Sequence, residues 1–507
     1  MSGAETFPVA IVGTGFSGIA MGVMLKRAGI ESFTIFEKAD DVGGTWRENT
    51  YPGAACDVPS HLYCFSFEPK PDWSRAFSPQ DEIQAYLRHC VAKYDLARHI
   101  RFGSRVTGAE FDATSGTWTV RVEGQAPMTA RAVVLGNGAL HLPSLPDIPG
   151  LAEFEGRCFH SAQWDHTYDF TVKRVAVVGT GASAIQFVPE IQPQVAHLDV
   201  FQRTPPWIVP KPDRPIARWQ QTLFRRVKVL HWLYRAWIYW MLELRGVGFI
   251  VDPRIMRFLE RFARRFLEES VPDPVLRAKL TPNYTMGCKR VLLSNDWYPA
   301  VQRPNVSVVT DGIERITPHG VRTRDGVEHP ADAIVCGTGF MVSEYLSRID
   351  VVGREGRALN DAMRAHAGTN LGITVHGFPN LFLLMGPNTG LGHNSMIFMI
   401  EAQARYALQA IQTLRRKKLL FLDVRETVQR AFETGVQEKL RHTVWSSGCQ
   451  SWYAPEGHNA TIWPHFTFQY WWRTRRLALD QYEVVARPTP APVRPPRPAP
   501  AREAAAL

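Results

Sequence analysis

The stretch Phe7–Glu37, FPVAIVGTGFSGIAMGVMLKRAGIESFTIFE, decides the fold. Val9–Val12 is a short apolar run and reads as a buried strand. Gly13-Thr14-Gly15-Phe16-Ser17-Gly18 follows at once and leads into an apolar-periodic helix ending near Gly29. A second strand, Phe33–Phe36, stops at Glu37. Gly13 permits a tight turn, Gly15 lets backbone approach a pyrophosphate, and Gly18 lets helix pack on strand. The helix N-terminus presents unpaired N–H groups and the positive end of its dipole to phosphates. Glu37 is placed to take ribose hydroxyls. A lone GxGxxG is weak evidence, but strand, helix and terminal acid together define a dinucleotide site.

The pattern returns further on. Arg174–Val178 is a second apolar run, followed by Gly179-Thr180-Gly181-Ala182-Ser183-Ala184, a helix, and a strand at Leu198–Phe201. Gly13 to Glu37 is 24 positions, and Gly179 plus 24 is Arg203. The second unit therefore ends in Gln202-Arg203-Thr204 where the first ends in an acid. A carboxylate favours a free ribose hydroxyl, whereas an arginine accommodates a 2′-phosphate. The first site suits FAD and the second NADPH, with Ala184 as a tolerated replacement for the third glycine. The plain alternative for Arg203 is an arginine that merely ends a strand.

At 507 residues the chain has room for two or three domains. The net charge of +10 could suggest nucleic acid or an anionic membrane. Several of those cations lie in a Pro/Ala/Arg tail and in the Arg-rich region after 214, and no nucleic-acid motif accompanies them. The cysteines at 56, 64, 90, 158, 288, 336 and 449 form no CxxC and no metal-ligand spacing. No metal is expected, a disulfide reductase is disfavoured, and scattered thiols fit a reducing compartment. MSGAETFP runs straight into the first strand and leaves no room for a signal peptide, so a cytoplasmic location is expected.

After Glu37 come Gly43-Gly44-Thr45-Trp46 and Tyr51-Pro52-Gly53-Ala54-Ala55-Cys56-Asp57, then an aromatic run from Tyr63. The glycines would let backbone pass a flat cofactor covered by Trp46. Asp57 reads either as a turn-capping aspartate or as a functional acid. Gln80–Tyr94 reads as an amphipathic helix and Ile100–Val122 as strands. Ala132–Leu135 reads as a buried strand ending in a glycine turn, and Pro143–Gly150 as a stiff linker. Ala331–Phe340 parallels the 132–138 strand and turn, and a helix over Met396–Ile411 would return to the first unit.

Residues 215–280 break the α/β rhythm with RWQQTLFRRVKVLHWLYRAWIYWMLELRG. Lys228, Arg235, Glu243 and Arg245 interrupt every apolar run well short of the ~18–20 residues that span a bilayer. Trp232, Trp237 and Trp240 read as the core of an inserted helical subdomain, as the lining of a substrate access path, or as a membrane-surface contact. Lys289-Arg290 is an adjacent cation pair after the insertion, and a solvated pair is its plain reading. From Ala486 the composition predicts disorder or polyproline II.

Two nucleotide units joined by that linker resemble the type I Baeyer–Villiger monooxygenases, within the class B flavoprotein monooxygenases. Phe154-x-Gly156-x-x-x-His160-x-x-x-Trp164-Asp165 is similar to the family fingerprint. The run from Gly43-Gly44-x-Trp46 through Tyr51-Pro52-Gly53 to Asp57 matches a second family pattern. Ser161 stands where threonine is frequent and Asp165 where proline is frequent. The resemblance covers about residues 5–475.

The resemblance implies an NADPH- and O₂-dependent conversion of a hydrophobic ketone to an ester or lactone through a flavin C4a-peroxide. N- or S-oxygenation by a flavoprotein of the same class is the alternative. Arg290 matches the family cation that stabilises the peroxide, Asp57 the acid that orients it, and His160 a residue of domain movement and cofactor placement. Lys289 and Arg203 match the positions that hold the 2′-phosphate. The remaining candidate cofactor contacts are Gly44, Thr45, Trp46, Tyr63, Val106, Thr204 and Met396, besides the two glycine motifs. The expected fold is α/β, with two Rossmann-like dinucleotide-binding domains and a helical insertion. The expected division is FAD domain 1–148 and 341–485, NADP domain 149–214 and 281–340, insertion 215–280 and tail 486–507. Peripheral membrane contact through 215–280 is a further expectation.

Overall fold

The computed structural model describes residues 7–342, 346–366, 368–448 and 459–487. Cys449 and most of the Pro/Ala/Arg tail, with the conformations expected for it, lie outside the described residues.

Val9–Val12 is buried on both faces, so it reads as an unbroken apolar run rather than an alternating one. It is the central strand of a five-stranded sheet ordered Leu381–Leu383, Ala132–Leu135, Val9–Val12, Phe33–Phe36, Ile100–Arg101. All its pairs are parallel. The motif helix Phe16–Arg27 covers one face together with Met396–Arg416, which packs against it. The latter helix runs past Ile411 because its apolar stripe continues through Leu414, and it ends at Arg416, capped by Lys417 before Lys418 at φ +50°.

A second five-stranded parallel sheet repeats the plan: Val306–Val309, His197–Phe201, Arg174–Val178, Ala333–Cys336, Arg157–His160. In both sheets the glycine-motif strand lies between its partner strand and a return strand that ends in a glycine turn. This is the place where a doubly wound sheet reverses its strand order and binds ligands at its carboxyl end. The region expected as strands over 100–122 contains Ile100–Arg101, Val106–Asp112 and Thr117–Val122.

The helical insertion consists of Arg218–Arg226, Lys228–Ile250, Met256–Ser270 and Pro274–Leu280. The Lys228–Ile250 helix buries His231, Ile238, Leu242, Gly246 and Phe249 on one side. Trp232, Trp237 and Trp240 are 65%, 58% and 54% exposed, so they are not the core of a subdomain. No helix among the described residues is long and apolar enough to cross a membrane.

Candidate active site

The first glycine motif shows which of its glycines the fold itself requires. Gly13 has φ +94°, and a Cβ there would sit 2.9 Å from the Gly136 carbonyl oxygen. A Cβ on Gly18 would lie 1.8 Å from the Gly13 carbonyl oxygen, so helix and turn could not approach. Gly15 differs: a Cβ there would meet only the Gly44 Cα, at 3.7 Å. Packing within the chain does not demand that glycine, whereas a phosphate drawn to the helix N-terminus does. The second motif repeats the distinction. Gly179, at φ +103°, lies against the Gly337 carbonyl, and a Cβ on Gly181 would meet nothing nearer than 3.8 Å. Thr180 is buried behind the turn and donates to the Thr204 carbonyl. Ala182 and Ser183 lead into the Ala184–Ile191 helix.

Glu37 stands at the end of its strand, 4% exposed. Its carboxylate accepts from Thr14 N at 3.0 Å, Thr14 Oγ1 at 2.5 Å, Ala39 N at 3.0 Å and Arg47 at 3.0 Å. Burial alone would raise its pKa, but these bonds and the Arg47 charge hold it below the ordinary carboxylate value. Arg47 was not among the expected residues. Gly44 and Thr45 open the short helix that carries it, and Trp46 donates from Nε1 to the Tyr63 hydroxyl at 3.0 Å. Val106 is buried at the start of its strand, and Met396 is the first residue of its helix.

Asp57 and Arg290 meet. Asp57 Oδ2 accepts from Arg290 Nε at 2.9 Å and from a terminal nitrogen at 2.5 Å. The arginine side chain is 42% exposed and the aspartate 27%. Asp57 is thus an ion-pair partner, not merely a turn cap. Lys289 sits over the Tyr284 ring at 4.9 Å. Burial lowers its ammonium pKa, and the Arg203 charge adds to the effect, so the two cations share one neighbourhood. A dianionic phosphate between them would relieve that repulsion.

His160 ends the Arg157–His160 strand opposite Cys336 and is buried. Its Nδ1 accepts from Ala162 N at 3.1 Å, and its ring meets Phe340 edge-on. Burial lowers its pKa, partly offset by the Gly339 backbone. Trp164 packs among Phe159, Phe170 and Phe187. Asp165 caps its turn through Thr167 and pairs with Arg157, and its pKa falls to about 2. The fingerprint ends are therefore packed and capped, while His160 faces the return turn of the sheet.

Gln186 escaped the sequence reading. Its side chain accepts from the Tyr51 hydroxyl at 3.0 Å and from Ala55 N at 3.4 Å, and donates to the Ala55 carbonyl at 3.0 Å. A helix starting at the second glycine motif thus grips the loop that ends in Asp57. Only its position on the helix following that motif marked it in the sequence. Cys288 is disulfide-bonded, against the expectation of scattered thiols. Cys56, Cys64, Cys90, Cys158 and Cys336 are free.

Two parallel sheets, each with a glycine-motif turn, and a carboxylate from the 51–57 loop paired to a guanidinium after the insertion define a protein with two dinucleotide-binding units. Residues 7–245 match the flavin-binding monooxygenase-like family. The chain is 47% identical over 486 residues to a Baeyer–Villiger monooxygenase of Pseudomonas aeruginosa, covering 95% of this chain and 92% of that one. It is 45% identical over 492 residues to one of Streptomyces coelicolor, covering 96% and 94%. The crystal structure of OTEMO with FAD and NADP superposes with a TM-score of 0.86 at 26% identity, covering 94% of this chain and 99% of that one. The chain belongs to the Baeyer–Villiger monooxygenases, flavoproteins of the two-dinucleotide architecture.

Proposed function

We propose that this chain inserts oxygen into hydrophobic ketones to give esters or lactones, with Arg290 as the cation at the reacting oxygen and Asp57 as its positioning carboxylate. The Asp57–Arg290 pair is the observation that carries the reading. FAD held along the first motif and reduced by NADPH held along the second would activate O₂, one oxygen atom entering the product and the other leaving as water.

The protein's share is placement and charge. Asp57 engages Nε and one terminal nitrogen of Arg290, which fixes the plane of the guanidinium. A fixed cation stabilises developing negative charge without reorganising during the reaction. Lys289 and Arg203 hold the 2′-phosphate, and Glu37 takes the adenosine ribose of FAD. Gly13, Gly15, Gly18, Gly44, Thr45, Trp46, Tyr63, Val106 and Met396 frame FAD. Gly179, Thr180, Gly181, Ala182, Ser183, Ala184 and Thr204 frame NADPH. His160, beside the turn at 337–340, sets the relation between the NADP sheet and the linker.

The division into FAD domain (1–148, 341–485), NADP domain (149–214, 281–340) and insertion (215–280) is supported by the two separate parallel sheets. A cytoplasmic location is supported by the free thiols among the described residues, while the Cys288 disulfide stands against it. Purified protein with NADPH and a ketone panel yields products heavier by one oxygen atom, identified as esters by mass. Amine N-oxides or sulfoxides without any ester would favour the heteroatom reading instead.

A further inference from the structure

The Lys228–Ile250 helix carries apolar residues on two sides, yet only one of them is covered. Its inner side is rooted on the loop that follows Asp57. His231 Nε2 meets His61 Nδ1 at 2.9 Å. Arg235 donates to the His61 carbonyl at 2.7 Å and to the Cys64 carbonyl at 2.8 Å. Glu243, buried, accepts from Asn394 at 2.6 Å and from Thr467 Oγ1 at 2.5 Å. The outer side carries Val229, Leu233, Trp237, Trp240 and Leu244, spaced four, four, three and four residues apart, with Trp232 on its flank. Every one of these six is at least half exposed. Trp240 continues the ridge to Phe468, ring to ring at 6.1 Å.

A ridge of this size does not stay in water without cause. Its charge decides what covers it. Between 218 and 250 the exposed cations are Arg218, Arg225, Arg226, Lys228 and Arg245, of which Arg225 is paired with Asp72; Arg235 is held on the inner side, and the acid, Glu243, is buried. We propose that this face docks on an anionic bilayer, its tryptophans at headgroup depth and its flanking cations on lipid phosphates. Tryptophan prefers that interface, and a helix with an exposed apolar face flanked by cations lies in its plane rather than spanning. A second copy fits less well, since a two-fold interface brings the same patch, and so the same cations, face to face. One consequence rests on the ketone reading: apolar substrates dissolved in the bilayer would arrive at the face whose underside grips the Asp57 loop.

The test uses the full-length, FAD-loaded protein and co-sedimentation with vesicles of phosphatidylcholine alone or of equal parts phosphatidylcholine and phosphatidylglycerol. The protein is expected to sediment with the mixed vesicles and not with phosphatidylcholine alone. The combined variant Trp232→Ser/Trp237→Ser/Trp240→Ser is expected to lose roughly tenfold or more in partitioning. Arg226→Glu/Lys228→Glu, which leaves the apolar ridge intact, is expected to lose roughly tenfold on the anionic vesicles. Wild type left in the supernatant with both vesicles overturns the proposal, as does wild-type binding by both variants. So does a dimer in vesicle-free buffer that the tryptophan variant dissolves. Ester formation in vesicle-free buffer is followed in parallel. Its absence with docking intact counts against the reaction, and its presence without docking counts against the surface.

Discussion

Arg290 and Asp57, 233 residues apart in sequence, are joined through two nitrogens of the guanidinium and one carboxylate oxygen. The aspartate loop is clasped by Gln186 from the second nucleotide unit. The arginine follows the helical insertion, with Lys289 next to it. The proposed nucleotide grip and the proposed reacting-site charge therefore sit on one connected assembly.

Arg290→Ala should leave reduction of FAD by NADPH within a few-fold of wild type while ester formation falls roughly 10²–10³-fold. Stopped-flow reduction and product analysis separate the two. Asp57→Asn, which keeps the shape but not the charge, should produce a smaller loss of ester. Equal ester yields from Arg290→Ala and wild type would remove Arg290 from its role.

Gly15→Ala and Gly18→Ala should fail in different ways. The Gly15 Cβ has room in the chain, so the apoprotein should melt near wild type yet retain FAD poorly. The Gly18 Cβ would sit 1.8 Å from a carbonyl oxygen, so that variant should be destabilised outright. Thermal melting with flavin absorbance on the same samples checks both.

The two cations near the second motif predict coenzyme choice. Lys289→Ala or Arg203→Ala should raise KM for NADPH roughly tenfold while leaving KM for NADH nearly unchanged, since a charge-assisted hydrogen bond is worth about 1.5–3 kcal/mol. Steady-state kinetics with both coenzymes decides it. A parallel rise for NADH would mean the cations serve the fold instead.

Glu37 supplies a pH signature. Its pKa in the folded chain is lowered from 4.5, so its stabilising contribution is fully present above that value. That contribution is lost as pH falls through the lower folded value. The acid limb of an apoprotein stability curve should therefore flatten in Glu37→Gln, with little change in slope near neutrality. An unchanged acid limb would show that other carboxylates dominate there.

Both sheets, the order of their motifs and the preference for unlike nucleotides were legible because each follows from short-range chemistry: glycine turns, buried apolar runs, an acid or an arginine at a fixed offset. The pairing of Asp57 with Arg290 came from family likeness, since no local rule links residues that far apart. Gln186 on Tyr51 stayed hidden for the same reason, and Arg47 on Glu37 because no turn or helix rule sets that ten-residue offset. The Lys228–Ile250 helix failed differently. Apolar residues occupy both 238/242/249 and 229/233/237, so periodicity could not choose the covered side. Only the packed structure showed that Trp232, Trp237 and Trp240 face outward.

The most direct test of the central claim follows the fate of the oxygen atom. Purified protein supplied with NADPH, ¹⁸O₂ and a hydrophobic ketone should form an ester carrying one labelled atom. In Arg290→Ala, NADPH should still be oxidised but labelled hydrogen peroxide should replace the ester. Unlabelled product, or ester labelled equally well without Arg290, would contradict the account.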